Sequence, residues 1–189
     1  MTLSTQLSTH QTLDEFLKMP ETKPASEYID GQIYQKPMPQ GKHSIIQSQL
    51  VSAINQFSNP HKLALALTEI RCTFAGQSIV PDIAVFEWSR IPTDETGEIA
   101  HRFVTFPDWT IEILSPNQSS NRVINKIIFC LNQGTHLGWL IDPDDKSVII
   151  FRPNQLPEVK HNNDMLPVIE VLVDWRISSD DIFSWLKVK

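Results

Sequence analysis

Apolar positions recur along this chain with two different periods. From His43 to about Phe57, Ile46, Leu50, Ile54 and Phe57 return every three or four residues, the spacing of a helix with one buried face. Asn59-Pro60 stops it. Ser119 or Ser120 can cap a second helix running to about Asn132, with Val123, Ile127, Cys130 and Leu131 on its buried side and Gly134 as its C-terminal cap. Thr12 and Glu15 have capping-box spacing before Phe16 and Leu17, which predicts a short helix from Thr12, ended by Pro20 and Pro24. Ser179-Asp180-Asp181 opens a short terminal helix ending in Trp185 and Leu186. Residues 1–11 are polar without periodicity and are expected to be loose.

The remaining apolar runs read as strands. Asp30-Gly31 sits between Tyr28-Ile29 and Ile33-Tyr34, a tight-hairpin signal because both turn positions need positive φ. Leu63 to Phe74 is strand-like, Gly76-Gln77 can turn the chain, and Ile79 to Phe86 forms the return strand. Pro81 interrupts that strand and marks an edge, a bulge or a functional kink. Trp109 to Leu114 is a strand left by Ser115-Pro116-Asn117. Leu137 to Ile141 and Val148 to Phe151 form a hairpin around Asp142-Pro143-Asp144-Asp145, and Val168 to Val173 is a late strand. Residues 89–106 form a long irregular loop. Hairpins alternating with helices predict an α/β fold with a mixed sheet flanked by helices.

Totals narrow the classes. A chain of 189 residues fits one domain, here residues 12–189, and can bury a core without staples. Cys72 and Cys130 have no metal-ligand spacing and read as reduced, buried thiols of a cytoplasmic protein. The N-terminus lacks a basic start and an apolar run, and no stretch approaches a membrane span, so no membrane partner is expected. A net charge of -6 argues against a basic nucleic-acid coat protein. It is compatible with an enzyme that clusters carboxylates around a divalent cation.

Two acids lie inside apolar strands, where acids are depleted and unpaired burial is costly. They are Asp82 in Val80-Pro81-Asp82-Ile83-Ala84-Val85 and Glu112 in Thr110-Ile111-Glu112-Ile113-Leu114. Each alone is most simply a solvent-facing acid. Alternation sets Val80, Asp82 and Ala84 on one face, and Thr110, Glu112 and Leu114 on one face. If the two strands are neighbours, both carboxylates can converge on Mg²⁺ or Mn²⁺, with the backbone carbonyl of Ile113 as a third ligand.

Val80-Pro81-Asp82 followed thirty residues on (112 − 82) by Glu112-Ile113-Leu114 resembles the Pro-Asp…Glu-x-Lys nuclease pattern. Five ordered stretches resemble the Uma-two family of restriction-endonuclease-like proteins. They are Glu27-Tyr28-Ile29-Asp30-Gly31, His43 opening a helix, Val80 to Val85, Pro107-Asp108-Trp109-Thr110-Ile111-Glu112-Ile113-Leu114-Ser115-Pro116, and Gly138-Trp139-Leu140-Ile141-Asp142-Pro143. The resemblance implies a restriction-endonuclease-like core and a metal-dependent endonuclease acting on nucleic acid, DNA in the first instance, with Asp82 and Glu112 as metal ligands. Leu114 stands where the general pattern has lysine. In the closer family the lysine lies on the following helix, where Lys126 matches; a long flexible stem can still bring its ammonium to the same water.

Glu27 matches an early glutamate of the family and either approaches the metal or is a strand-edge acid. His43 either meets a phosphate or is an ordinary satisfied histidine. Glu69 either extends the acidic cluster or faces solvent. Arg71, Arg90, Arg102 and Arg122 are candidates for a phosphate-binding rim. Three functions stay open: the nuclease, for which a homodimer is a candidate state because duplex cutting often uses two sites; a non-catalytic nucleic-acid-binding or interaction protein that retains the fold; and a metal-dependent enzyme acting on some other phosphate ester.

Overall fold

The computed structural model describes residues 11–116 and 118–189; most of the expected loose N-terminus, residues 1–10, and Asn117 of the turn after Glu112 lie outside the described residues. The elements run α1 (Leu13–Lys18), β1 (Ser26–Ile29), β2 (Gln32–Gln35), α2 (Gly41–Ser58), β3 (Ala64–Thr68), β4 (Cys72–Phe74), β5 (Gln77–Ile79), β6 (Ile83–Glu87), β7 (Trp109–Ile113), α3 (Ser120–Asn132), β8 (Leu137–Asp142), β9 (Ser147–Phe151), β10 (Glu158–His161) and α4 (Ser179–Ser184). They form a six-stranded mixed sheet, order β10-β9-β8-β7-β6-β3, and a four-stranded antiparallel sheet, order β2-β1-β5-β4. Only β7 and β8 pair in parallel in the larger sheet, and α3 is the crossover between them.

Local signals explain most of these elements. Thr12 caps α1 in a reciprocal capping box with Glu15. Asp30 and Gly31 turn β1 into β2 with φ of 50° and 77°, as a two-residue hairpin requires. Asp142 holds the β8–β9 turn by accepting from the backbone N–H of Asp144 and Asp145. α4 begins at Ser179, as its sequence suggests; Ser178 is the cap and closes a capping box with Asp181.

Two long apolar runs prove to be two strands each. Leu63–Phe74 divides into β3 and β4, and Ile79–Phe86 into β5 and β6. β3 pairs with β6 in the large sheet; β4 pairs with β5 in the small one. Together they are one hairpin, closed by Ala75 and Gly76 at positive φ, that bends out of one sheet into the other. The bend falls at Glu69, which has φ 47°, and opposite it at Pro81-Asp82. Pro81 has no N–H for a ladder, so pairing fails there. Asp82 consequently lies at a kink between sheets and not within a strand.

The expected strand Val168–Val173 is absent. That segment carries a 3-10 turn at Glu170–Leu172, and Leu166, Ile169 and Leu172 are buried at a spacing of three, a helical and not an alternating period. The tenth strand, β10, is mostly exposed and lacks an apolar run, which hid it.

The main core lies on one face of the large sheet. Ile46, Leu50 and Ile54 of α2 and Ile182 and Phe183 of α4 pack there against Ile83, Val85, Trp109, Ile111, Ile113 and Trp139. The other face is covered partly by α3, with Val123 and Ile127 on Leu140 and Phe151. The small sheet covers the rest through Cys72 and Ile79, against Ala84, Phe86 and Cys130. Both cysteines are free and buried, and burial pushes the Cys72 thiol up to about 12. No helix among the described residues is long and apolar enough to cross a membrane.

One glycine sets how closely α3 approaches the sheet. A Cβ on Gly138 of β8 would stand 2.3 Å from Cγ2 of Ile127, a β-branched helix side chain with little rotamer freedom. Gly138→Ala is expected to force α3 outward and to destabilise the protein by about 1–3 kcal/mol, measured by urea denaturation. An unchanged midpoint would show that α3 does not depend on this contact.

Candidate active site

The kink at Asp82 is held from both sides. Its carbonyl accepts from the backbone N–H of Glu69 at 3.2 Å and from Nε2 of Gln47, on α2, at 2.8 Å. Its carboxylate is turned inward. Oδ2 accepts from the backbone N–H of Ile113 at 2.8 Å and lies 3.2 Å from Nε2 of His43 in the first turn of α2. Oδ1 accepts from Nζ of Lys36 at 2.6 Å. Burial by itself would raise the Asp82 pKa. The Lys36 ammonium, the His43 hydrogen bond and charge, and the charge of Lys126 outweigh it and hold this carboxyl well below the usual carboxylate range.

Strand register explains why Glu112 meets Asp82. β6 and β7 are antiparallel neighbours with Ile83 opposite Ile111 and Ala84 opposite Thr110. The ladder ends there; its register, continued by one residue, would set Asp82 of the kink opposite Glu112. Side chains of directly opposed residues share a face at about 5 Å between Cβ atoms. Glu112 is 1% exposed, and its Oε2 is 2.9 Å from Nζ of Lys126. Its Oε1 is buried with no hydrogen-bond partner among the described residues, and so is Oγ1 of Thr110 on the same face. Burial pushes the Glu112 pKa up to about 8; Lys126 pulls it down and the Asp82 charge adds to the rise.

Lys126 points into the protein from the buried face of α3, beside Val123, Ile127 and Cys130. A lysine this buried needs anionic partners, and Lys126 has two, Glu112 and Oε1 of Glu27, each at 2.9 Å. Burial disfavours the ammonium, but Glu112, Glu27 and Asp82 more than compensate and raise its pKa above the ordinary value. Glu27, from β1 of the small sheet, also accepts from the backbone N–H of Val80 at 2.7 Å. It is therefore tied both to the bend and to the helix lysine.

Of the residues singled out from sequence, Asp82, Glu112, Lys126, Glu27 and His43 come together, and Ile113 joins through its backbone. Glu69 does not: its side chain is exposed. Of the arginines, Arg71 pairs with Glu21, Arg90 with Asp108, and Arg122 lies over the Tyr34 ring, while Arg102 is exposed. The reading missed Lys36. A signal existed, because the Asp-Gly turn fixes the β1–β2 register. Glu27 stands opposite Tyr34, so Lys36, two residues beyond Tyr34, shares the face of Glu27.

A second group, Glu87, Asp108 and His136, lies within metal-ligand reach. Asp108 there is already engaged by Arg90 and by the backbone N–H of Glu87, and the group contains no orphaned buried oxygen.

The family model described as "Putative restriction endonuclease", Uma2, matches residues 13–180. The chain belongs to the Uma2 family. A solved structure described as "a putative nuclease belonging to DUF820", from Anabaena variabilis ATCC 29413, is 56% identical. The match covers 94% of this chain and 99% of that one, with a TM-score of 0.92. No curated protein matches. Within this Uma2 protein, the cluster of Asp82, Glu112, Glu27, Lys126, Lys36 and His43 lies where the large sheet, the small sheet and two helices meet.

Lys126 is the counter-ion that makes two buried glutamates tolerable. Its folded pKa lies above the ordinary 10.5, so its stabilising contribution is fully present below about that pH and is lost only as pH rises through the folded value. Lys126→Met is expected to destabilise the metal-free protein by about 3–5 kcal/mol at neutral pH, read from thermal and denaturant unfolding. A loss below about 1 kcal/mol would mean that the glutamates find other compensation.

Proposed function

We propose that this Uma2 protein is a metal-dependent endonuclease that hydrolyses phosphodiester bonds in DNA. The observation that carries the reading is the Asp82 carboxylate at the end of the β6–β7 ladder, accepting from the Ile113 N–H beside Glu112, with the Lys126 ammonium against Glu112. The donor set fits a hard divalent cation: two carboxylates and a backbone carbonyl. The unpartnered Oε1 of Glu112 is an oxygen that a cation would satisfy. The carbonyl of Ile113 projects to the same edge as its N–H, toward Asp82, where β6 no longer pairs with β7. Asp82, Glu112 and the Ile113 carbonyl would hold the ion, Mg²⁺ or Mn²⁺. When bound, it supplies Lewis-acid polarisation of a phosphoryl oxygen and a more acidic attacking water.

The protein's own groups divide the remaining work. Lys126 stays protonated, so it acts as a hydrogen-bond donor that orients the attacking water and stabilises developing negative charge, not as the base that removes its proton. Glu27 fixes the ammonium by sharing it with Glu112. His43 and the Ile113 N–H hold Asp82 in one orientation through Oδ2. The relative from Anabaena variabilis, described as "a putative nuclease", supports nucleic acid as the substrate class.

Purified protein is expected to nick supercoiled plasmid DNA with Mn²⁺ or Mg²⁺ and not with EDTA, and Asp82→Ala to reduce nicking by roughly a hundredfold or more. Nicking that persists in the variant would remove this site from the reaction. A pH dependence follows from Glu112. With its pKa pushed up to about 8, it takes up a proton more readily than an ordinary glutamate, and a cation competes with that proton. Mn²⁺ affinity should therefore rise with pH, by up to about tenfold per unit below the Glu112 pKa, and level off above it. Calorimetry at several pH values reads this; an affinity independent of pH would show that Glu112 binds no ion or is already ionised.

A further inference from the structure

Lys36 has no part in the reading above, yet it makes the shortest contact to Asp82. Its side chain is 7% exposed, and Nζ donates to Asp82 Oδ1 at 2.6 Å and to the Val80 carbonyl at 2.9 Å. The other oxygen of Asp82 already receives the Ile113 N–H and faces His43 Nε2. Oδ1 is thus the oxygen left for a metal ion, and an ammonium sits on it. A divalent cation binds a carboxylate oxygen at about 2.1 Å. A second positive charge held within hydrogen-bond distance of the same oxygen opposes this, because the two cations repel at close range in a buried site.

We infer that Lys36 is an internal competitor for the metal: its ammonium occupies the Asp82 coordination position in the metal-free protein and must be displaced for the ion to bind. The inference rests on the metal site of the proposed function. Lys36 and Lys126 divide their labour. Lys126 faces the two glutamates and leaves Oε1 of Glu112 open, whereas Lys36 closes Asp82. The flexible stem of Lys36 lets the ammonium swing aside. Lys36 also balances the charge of Asp82, which is buried and would otherwise lose its nearest counter-charge. Its role is to position charge and set ion affinity.

The test is calorimetric titration of Mn²⁺ into wild-type protein, Lys36→Met and Lys36→Arg at one pH. Removing a competitor that holds the binding-competent form to a minor fraction tightens the apparent affinity by the inverse of that fraction. Lys36→Met is expected to bind Mn²⁺ roughly tenfold more tightly than wild type, and Lys36→Arg, which keeps the charge, no more tightly than wild type. Equal or weaker binding by Lys36→Met, or equal tightening in both variants, overturns the inference while leaving the metal site standing. No Mn²⁺ binding to wild type or Lys36→Met overturns the metal site and the inference with it. A readout on the unmodified sequence covers the case of a variant that does not fold. In protein with isotope-labelled lysine, the Lys36 ammonium signal should shift as Mg²⁺ saturates the site; a signal unmoved at saturation overturns the inference.

Discussion

Three carboxylates and two ammonium groups buried together at the junction of two sheets are the constraint on which this structure turns. Charges in a protein interior survive only when paired, so each of Asp82, Glu112 and Glu27 fixes where another element must lie. Glu27 ties the first hairpin to the Val80 N–H and to Lys126. Lys126 ties α3 to β1 and β7. Asp82 ties α2, through Gln47 and His43, to the strand bearing Glu112. Around this polar knot the apolar packing is conventional: α2 and the C-terminal segment cover one face of the large sheet, and α3 with the small sheet covers the other.

The kink at Pro81-Asp82 shows how backbone and chemistry are linked. Proline removes a ladder donor, pairing with the neighbouring strand ends, and the next residue is free to turn its carboxylate onto the β7 backbone. The same break hands the chain from the large sheet to the small one, which delivers Glu27. A strand running straight through would leave Asp82 as one more side chain on a face and Val80 without its tie to Glu27. The close approach of α3 permitted by Gly138 supplies the last group, the Lys126 ammonium.

Much of this could be read from the sequence, and the failures have physical reasons. Helix periods and caps located α1 to α4, and the Asp-Gly turn located the first hairpin, because those signals are local. The adjacency of Asp82 and Glu112 was legible as a conditional: two acids on matching faces if their strands paired, as they do. The division of two long apolar runs between different sheets was not legible, since apolar patterning does not say which sheet a strand joins. The false strand at Val168–Val173 came from counting apolar residues without their spacing of three. Lys36 escaped because its importance arises across three elements, although the hairpin register already put it on the face of Glu27.

The central claim is that Asp82 and Glu112 share a divalent cation, and the direct measurement is anomalous diffraction from crystals soaked in Mn²⁺. The account predicts one peak in coordination contact with a carboxylate oxygen of each residue and with the Ile113 carbonyl. A peak confined to Glu87, Asp108 and His136, or a fully occupied soak with no density between Asp82 and Glu112, would contradict it.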